Sequence, residues 1–216
     1  MNHEQTVQWW RDKAETYFTD KVFSFSQPQL IERLKIQPTN RVLEIGFGYG
    51  RELSQFCRKS SWVHGVELDE FTIQLAYKEL QNLGYCTVPF LKTYDGRIIP
   101  FQDRFFNVVY SCFVLQHMSR VAARELIREA LRVTKPGGKV LMELFGDPAY
   151  QHDTEDRFSG DPNAGGMYNN GYNLANVNAL LLGLGEILWI EPQRVSAEGR
   201  TFDNWWFCIT PNERSD

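Results

Sequence analysis

Short apolar runs alternate with helical stripes through most of this chain. Val42, Leu43 and Ile45 form one run with two β-branched members, and residues 62–67 form the next; each predicts a buried strand. Residues 105–112 are apolar almost throughout, as a strand buried on both faces should be. Residues 140–145 read as a fifth strand, entered through a turn at 135–139. Residues 85–91 are strand-like but interrupted by Pro89, which lacks the ladder donor and assigns the run to a sheet edge. Helical spacing fills the gaps. Leu53 and Phe56 share a face over 51–59, and Phe71, Leu75, Leu80 and Leu83 share one over 70–83, ended by Gly84. Ser119 caps a helix reaching Val133, with Ala122, Leu126, Ala130 and Val133 in one stripe.

The flanks are different. Residues 3–20 predict a polar helix with a stripe of Val7, Trp10, Ala14, Tyr17 and Phe18, and 29–35 a short second helix stopped by Pro38. From Gly146 to Tyr172, Gly, Pro, Asn and Asp dominate without periodicity; so long a structureless stretch is usually functional or mobile. A helix over 173–184 and two strands, 187–190 and 205–209, joined by a polar loop, close the chain. Alternation of strand and helix across 41–145 predicts a parallel sheet with right-handed crossovers.

Composition narrows the class. The 216 residues suffice for a single domain with a sizeable core, and 43% hydrophobic with 14% aromatic content argues for a folded globule. A net charge of −4 gives no electrostatic reason to expect a nucleic-acid partner. No long apolar run predicts a membrane span and the polar N-terminus is no signal peptide, so a cytoplasmic protein is expected. Cys57, Cys86, Cys112 and Cys208 are far apart, read as reduced thiols, and no His or Asp spacing suggests a metal site.

The most informative stretch follows the first strand: Gly46, Gly48 and Gly50 at alternate positions, with Glu44 ahead and a helical pattern behind. Glycine permits a sharp turn and close backbone approach to a ligand, facing the free N–H groups of the next helix. A dinucleotide fingerprint, G-x-G-x-x-G, would need its third glycine where Arg51 stands. Glu67, about twenty residues on at the end of the next strand, can accept from both ribose hydroxyls. Here the sequence resembles the class I S-adenosylmethionine-dependent methyltransferases, whose first motif is E/D-x-G-x-G-x-G and whose second strand ends in an acid.

That resemblance implies an α/β, Rossmann-like, seven-stranded, mostly parallel sheet with helices on both faces and the last strand antiparallel. It implies S-adenosylmethionine as cofactor, bound by Glu44, Gly46, Gly48, Gly50, Glu67 and Leu68. Asp95 and Gly96 would meet the adenine, in a D-x-x-x-x-P-F pattern matched at Asp95, Pro100 and Phe101. Cys112 and His117, in the loop after the fourth strand, would border the methionine part, and Tyr17 would touch the cofactor from a lid. Asn107 departs from the family's aspartate, although it can still satisfy backbone groups. The chain then reads as one methyltransferase domain, 1–216, with an N-terminal helical lid at 1–38 and a substrate-side insert at 146–172.

Methyl transfer from a sulfonium is an in-line displacement that needs positioning and exclusion of water more than a metal or covalent nucleophile. His117 is the candidate catalytic base, or it orients its loop; His3 and His64 look incidental. His152, Asp153, Glu155 and Asp156 form either a solvated charge run or an acidic rim for a cationic acceptor. Trp9, Trp10, Tyr150, Tyr168, Tyr172 and Trp205 would line an aromatic pocket. A small-molecule acceptor methylated on oxygen or nitrogen is the leading expectation, in a monomer or homodimer with no nucleic acid or membrane partner. A protein or RNA methyltransferase and a non-catalytic cofactor-binding partner subunit are the alternatives.

Overall fold

Alternate positions of β1 (Arg41–Ile45) face opposite sides of the sheet, which sorts the whole core. In the computed structural model, which describes residues 3–19, 28–85, 89–151, 156, 158–161, 165–197 and 200–212, Leu43 and Ile45 enter one apolar cluster and Val42 the other. The helices are α1 (His3–Thr19), α2 (Pro28–Arg33), α3 (Arg51–Cys57), α4 (Glu70–Asn82), α5 (Arg120–Val133) and α6 (Leu174–Leu181). The remaining strands are β2 (Trp62–Glu67), β3 (Phe90–Thr93), β4 (Phe106–Ser111), β5 (Thr134–Leu144), β6 (Phe158–Asp161), β7 (Gly165–Tyr168), β8 (Glu186–Ala197) and β9 (Arg200–Thr210). The seven-stranded sheet runs β3-β2-β1-β4-β5-β9-β8, with β1 to β5 parallel and β9 antiparallel to both its neighbours. This is the expected fold class, and β3 is the edge strand that Pro89 indicated.

On one face, Leu126, Ile127 and Ala130 of α5 pack with Leu43, Val109, Met142 and Phe207. On the other, Leu53 and Phe56 of α3 and Ile73 and Ala76 of α4 pack with Val42, Tyr110, Leu141 and Trp206. Leu53 is wholly buried, so truncating it to alanine should cost roughly 2–5 kcal/mol. Asn107 accepts from the Arg41 N–H at 2.9 Å, the backbone role open to it in place of aspartate.

Several boundaries differ from the sequence reading. On α4 the buried face is Thr72, Ile73, Ala76 and Leu80, whereas Phe71 and Leu83 are exposed; small Thr72 and Ala76 let the helix sit close to the sheet. The third strand is Phe90–Thr93, and residues 86–88 of the expected run lie outside the described residues. The turn at 135–139 lies within β5 as a register shift against β4 between Phe106 and Val108. The polar loop expected between the last two strands is itself strand: polar residues 191–204 belong largely to a long β8–β9 hairpin with solvent on its outer side. The insert is not structureless. It holds a 3-10 turn at Pro148–Tyr150 and the β6–β7 hairpin, in which Gly160 pairs with Gly166 and Asp161 with Gly165. The glycines of this stretch thus serve a two-stranded ribbon against which α1 lies. Among the described residues no helix is long and apolar enough to cross a membrane.

Candidate cofactor and acceptor site

The carboxyl ends of β1, β2 and β4 converge on the glycine turn, the crevice where open α/β sheets bind ligands. Gly46, Gly48 and Gly50 have φ of 69°, 53° and 88°, so all three occupy the left-handed region that other residues rarely adopt. A Cβ on Gly46 would also lie 2.3 Å from Val114 Cγ2, which packs the loop after β4 directly on the turn. Gly50 forms the N-cap of α3, without a side chain to satisfy its first amides.

Glu67 ends β2 with both oxygens engaged: Oε1 accepts from Gly48 N–H at 3.0 Å and Oε2 from Leu68 N–H at 2.7 Å. Burial pushes its carboxyl up to about 7, against the pull of those two N–H groups. Leu68 in turn offers its carbonyl to Arg11 Nε of α1 at 2.8 Å, tying the N-terminal helix to the end of β2. Glu44 is buried beneath the turn, and its Oε2 has no hydrogen-bond partner among the described residues. Burial, then the nearby Glu52 carboxylate, holds Glu44 well above the usual carboxylate range, while Arg51 pulls the other way. Arg51 itself pairs with Glu52 at 2.6 Å.

Asp95 follows β3 and is exposed; its Oδ1 accepts from Arg97 and Ile98 N–H, both at 2.8 Å, in an Asx turn. Gly96 sits at φ 78°, and Tyr94 N–H donates to Glu67 O at 2.9 Å, so this loop abuts the end of β2. Arg132 of α5 fixes the continuation by donating to the Ile99 carbonyl at 2.9 Å and the Phe101 carbonyl at 3.0 Å. The structure therefore brings Glu44, the three glycines, Glu67 and Leu68 together, with Asp95 and Gly96 on the adjoining loop.

Cys112 is buried, its thiol pushed well up by burial and by Glu143, whose Oε2 it approaches at 3.5 Å. His117 ends a 3-10 turn at Leu115–His117. Its Nδ1 lies 3.2 Å from the Tyr168 carbonyl of β7, and the Trp10 ring of α1 meets it edge-on at 4.9 Å. Burial lowers the imidazole to about 4, so it is neutral at pH 7. Both covering elements, α1 and the β6–β7 hairpin, thus contact this one histidine. Tyr17 lies on α1, but its side chain, like that of Tyr150 and all of His152, Asp153 and Glu155, falls outside the described residues. Asp156 is exposed yet accepts from Arg120 N–H at 2.9 Å and Asn170 Nδ2 at 3.0 Å, and Tyr172 is wholly buried in the core.

Sequence reasoning missed Glu143, Asn204 and Glu52, all buried. A signal existed for Glu143, a lone acid inside an apolar run read as a buried strand. His64 is not incidental to the fold: it meets Phe90, Phe101, Phe105 and Phe106 at 5.8, 5.5, 5.7 and 5.2 Å, and burial lowers its pKa. Among the described residues no group of three or more His, Cys, Asp or Glu could hold a metal.

The residues present fit S-adenosylmethionine. Glu44 Oε2 is a buried acceptor awaiting a donor, the left-handed glycines leave the turn free of side chains, and Glu67 closes beside it. The sequence model of a methyltransferase-domain family matches residues 42–138. A ubiquinone/menaquinone biosynthesis C-methyltransferase, UbiE, of Azotobacter vinelandii is 31% identical over 123 residues, 55% of this chain and 47% of that protein. The chain thus spans about half the length of the curated relatives it matches. A SAM-dependent methyltransferase from Methanosarcina mazei shares the fold with a TM-score of 0.73 at 18% identity, over 88% of this chain and 100% of its own. The [4+2]-cyclase SpnF does so with a TM-score of 0.71 at 16% identity, over 98% of both chains. With the glycine turn, its flanking acids and the seven-stranded sheet all of one pattern, the chain is similar to the class I S-adenosylmethionine-dependent methyltransferases, in sequence over residues 42–138 and in fold across the sheet.

Proposed function

We propose that this protein transfers the methyl group of S-adenosylmethionine to a small-molecule metabolite. The observation that carries the proposal is the Glu44 carboxyl, buried under three left-handed glycines with one oxygen lacking a partner among the described residues. A buried acceptor left so costs about 1–3 kcal/mol, which a cationic amino group would relieve. In this reading Gly46, Gly48 and Gly50 present backbone, Glu67 accepts from the ribose hydroxyls, and Asp95 and Gly96 meet the adenine. Leu68, Cys112 and His117 border the pocket. The bound cofactor supplies an electrophilic methyl on a sulfonium whose departure leaves a neutral thioether.

What the chain's own residues contribute is position and dryness. Trp10 on His117, Arg11 on Leu68 and Tyr168 over His117 draw α1 and the β6–β7 hairpin across the loop after β4. A neutral imidazole whose conjugate acid lies near 4 is a weak base, which supports His117 as an orienting group. An aromatic-rich cover and a net charge of −4 support a small acceptor rather than RNA. The acceptor atom remains oxygen or nitrogen in our reading; the UbiE relative's name adds carbon to the atoms worth assaying.

The test is transfer of a radiolabelled methyl from S-adenosylmethionine to a whole cell lysate, separated afterwards into metabolites, protein and RNA. Label in a small organic product is expected. Label only in protein or RNA would favour a macromolecular acceptor, and cofactor binding with no transfer, but with capture of another protein chain, would favour the partner-subunit reading.

A further inference from the structure

Period-two alternation turns Glu143 of β5 toward the same face as Leu141, while Asn204 of β9 shares its side with Trp206. The two side chains meet: Asn204 Nδ2 donates to Glu143 Oε1. The other carboxylate oxygen, Oε2, accepts from Phe113 N–H at 3.0 Å. Phe113 has φ 58°, a left-handed conformation that a bulky residue adopts only where its surroundings impose it. The next residue, Val114, is the one whose Cγ2 would lie 2.3 Å from a Cβ on Gly46. Asn204 Oδ1 meanwhile accepts from Gly146 N–H at 3.1 Å, the first residue of the insert. Gly146 is wedged there, since a Cβ on it would meet the Asp203 carbonyl at 1.6 Å.

We propose that Glu143, held by Asn204, is a positioning residue that sets the turn after β4 against the glycine turn and so shapes the cofactor pocket. The proposal rests on the functional reading above and adds to it a residue that touches neither the glycines nor the lid. Oε1 accepts from Asn204, and Oε2 from Phe113 N–H and the Cys112 thiol, so Glu143 serves both loops best when it is ionised and both oxygens are full acceptors. A proton on Oε2 removes the charge that strengthens the bond from Phe113 N–H and leaves that oxygen the weaker acceptor. A proton on Oε1 that points at Asn204 meets its Nδ2 donor, and turning the amide to accept it withdraws Oδ1 from Gly146. The titratable groups around Glu143 are Tyr110 from β4, Cys112 just after it, Arg51 and Glu52 from α3, and Glu44 from β1. Burial pushes Glu143 up to about 7 within that set, which sets the two states near physiological pH.

Glu143→Gln imitates the protonated form, because its amide must aim a donor at Phe113 N–H or at Asn204. Two readouts on the full chain test it: backbone hydrogen exchange at Phe113, with Val109 of β4 as internal control, and calorimetric affinity for S-adenosylmethionine from pH 6 to 8. The variant should exchange Phe113 at least tenfold faster with Val109 unchanged, bind the cofactor about tenfold more weakly, and lose part of the wild-type fall in affinity on acidification. Wild-type protection at Phe113 and wild-type affinity in the variant would overturn the proposal. Should the variant not fold, the wild-type protein decides: protection at Phe113 must fall between pH 8 and 6 while that at Val109 holds, and constant protection contradicts us. A wild type that binds no S-adenosylmethionine would overturn the functional reading, with the exchange arm still judging the positioning.

Discussion

At the scale of single residues, Glu67 and Asp95 divide the proposed nucleoside, and their environments predict different costs. Glu67 is buried and engages two backbone N–H groups, so Glu67→Ala should weaken S-adenosylmethionine binding about ten- to a hundredfold. Asp95 is exposed and already spends Oδ1 on an Asx turn, so Asp95→Ala should cost about tenfold. Calorimetry showing wild-type affinity in both variants would remove this assignment. Glu67 also predicts a pH dependence. Its folded carboxyl titrates near 7 instead of 4.5, so the folded protein binds a proton more tightly than the unfolded chain. Stability from this group is therefore full below about 4.5 and declines as pH rises to about 7, by on the order of 3 kcal/mol. His117, with its pKa lowered to about 4, acts in the opposite direction, losing stability as pH falls from 6.5. The difference in unfolding free energy between wild type and Glu67→Gln, measured by urea denaturation without ligand, cancels His117 and should shrink as pH rises from 4.5 to 7. The acids at strand ends were legible in the sequence because each stands at a fixed distance from a glycine turn. Glu143 and Asn204 were not, because their partners are three strands of non-local pairing, not neighbours in the chain.

At the scale of elements, the β6–β7 hairpin and α1 cover the loop that carries His117. Replacing residues 158–168 by a short glycine–serine linker should leave cofactor affinity within a few-fold and abolish turnover, because water then reaches the transfer site. Loss of affinity and turnover together would make the hairpin structural. His117→Ala should reduce turnover by less than the 10²–10⁴-fold typical of removing a general base, with no loss of an acid-limb pKa between 6 and 7. Strands β1, β2 and β4 and helices α3 and α5 were legible because continuous apolar runs and a clean 3.6-residue stripe leave one solution. The buried face of α4 was read a residue off, since Thr72 and Ala76 carry the contact and small residues give little apolar signal. The hairpin of the insert was hidden because its glycines suppress any alternation.

At the scale of the whole molecule, sheet order follows from the alternation of strands and helices, and the antiparallel β9 closes it beside β5. The fold does not name the reaction, as the likeness to a [4+2]-cyclase at a TM-score of 0.71 makes plain. The cofactor claim is accordingly the one on which everything else stands. Its most direct test is titration calorimetry of the full chain with S-adenosylmethionine, its demethylated product and NAD in parallel. The turn of Gly46, Gly48 and Gly50 between Glu44 and Glu67 predicts binding of both sulfur nucleosides and none of NAD. Binding of NAD without binding of S-adenosylmethionine would contradict it.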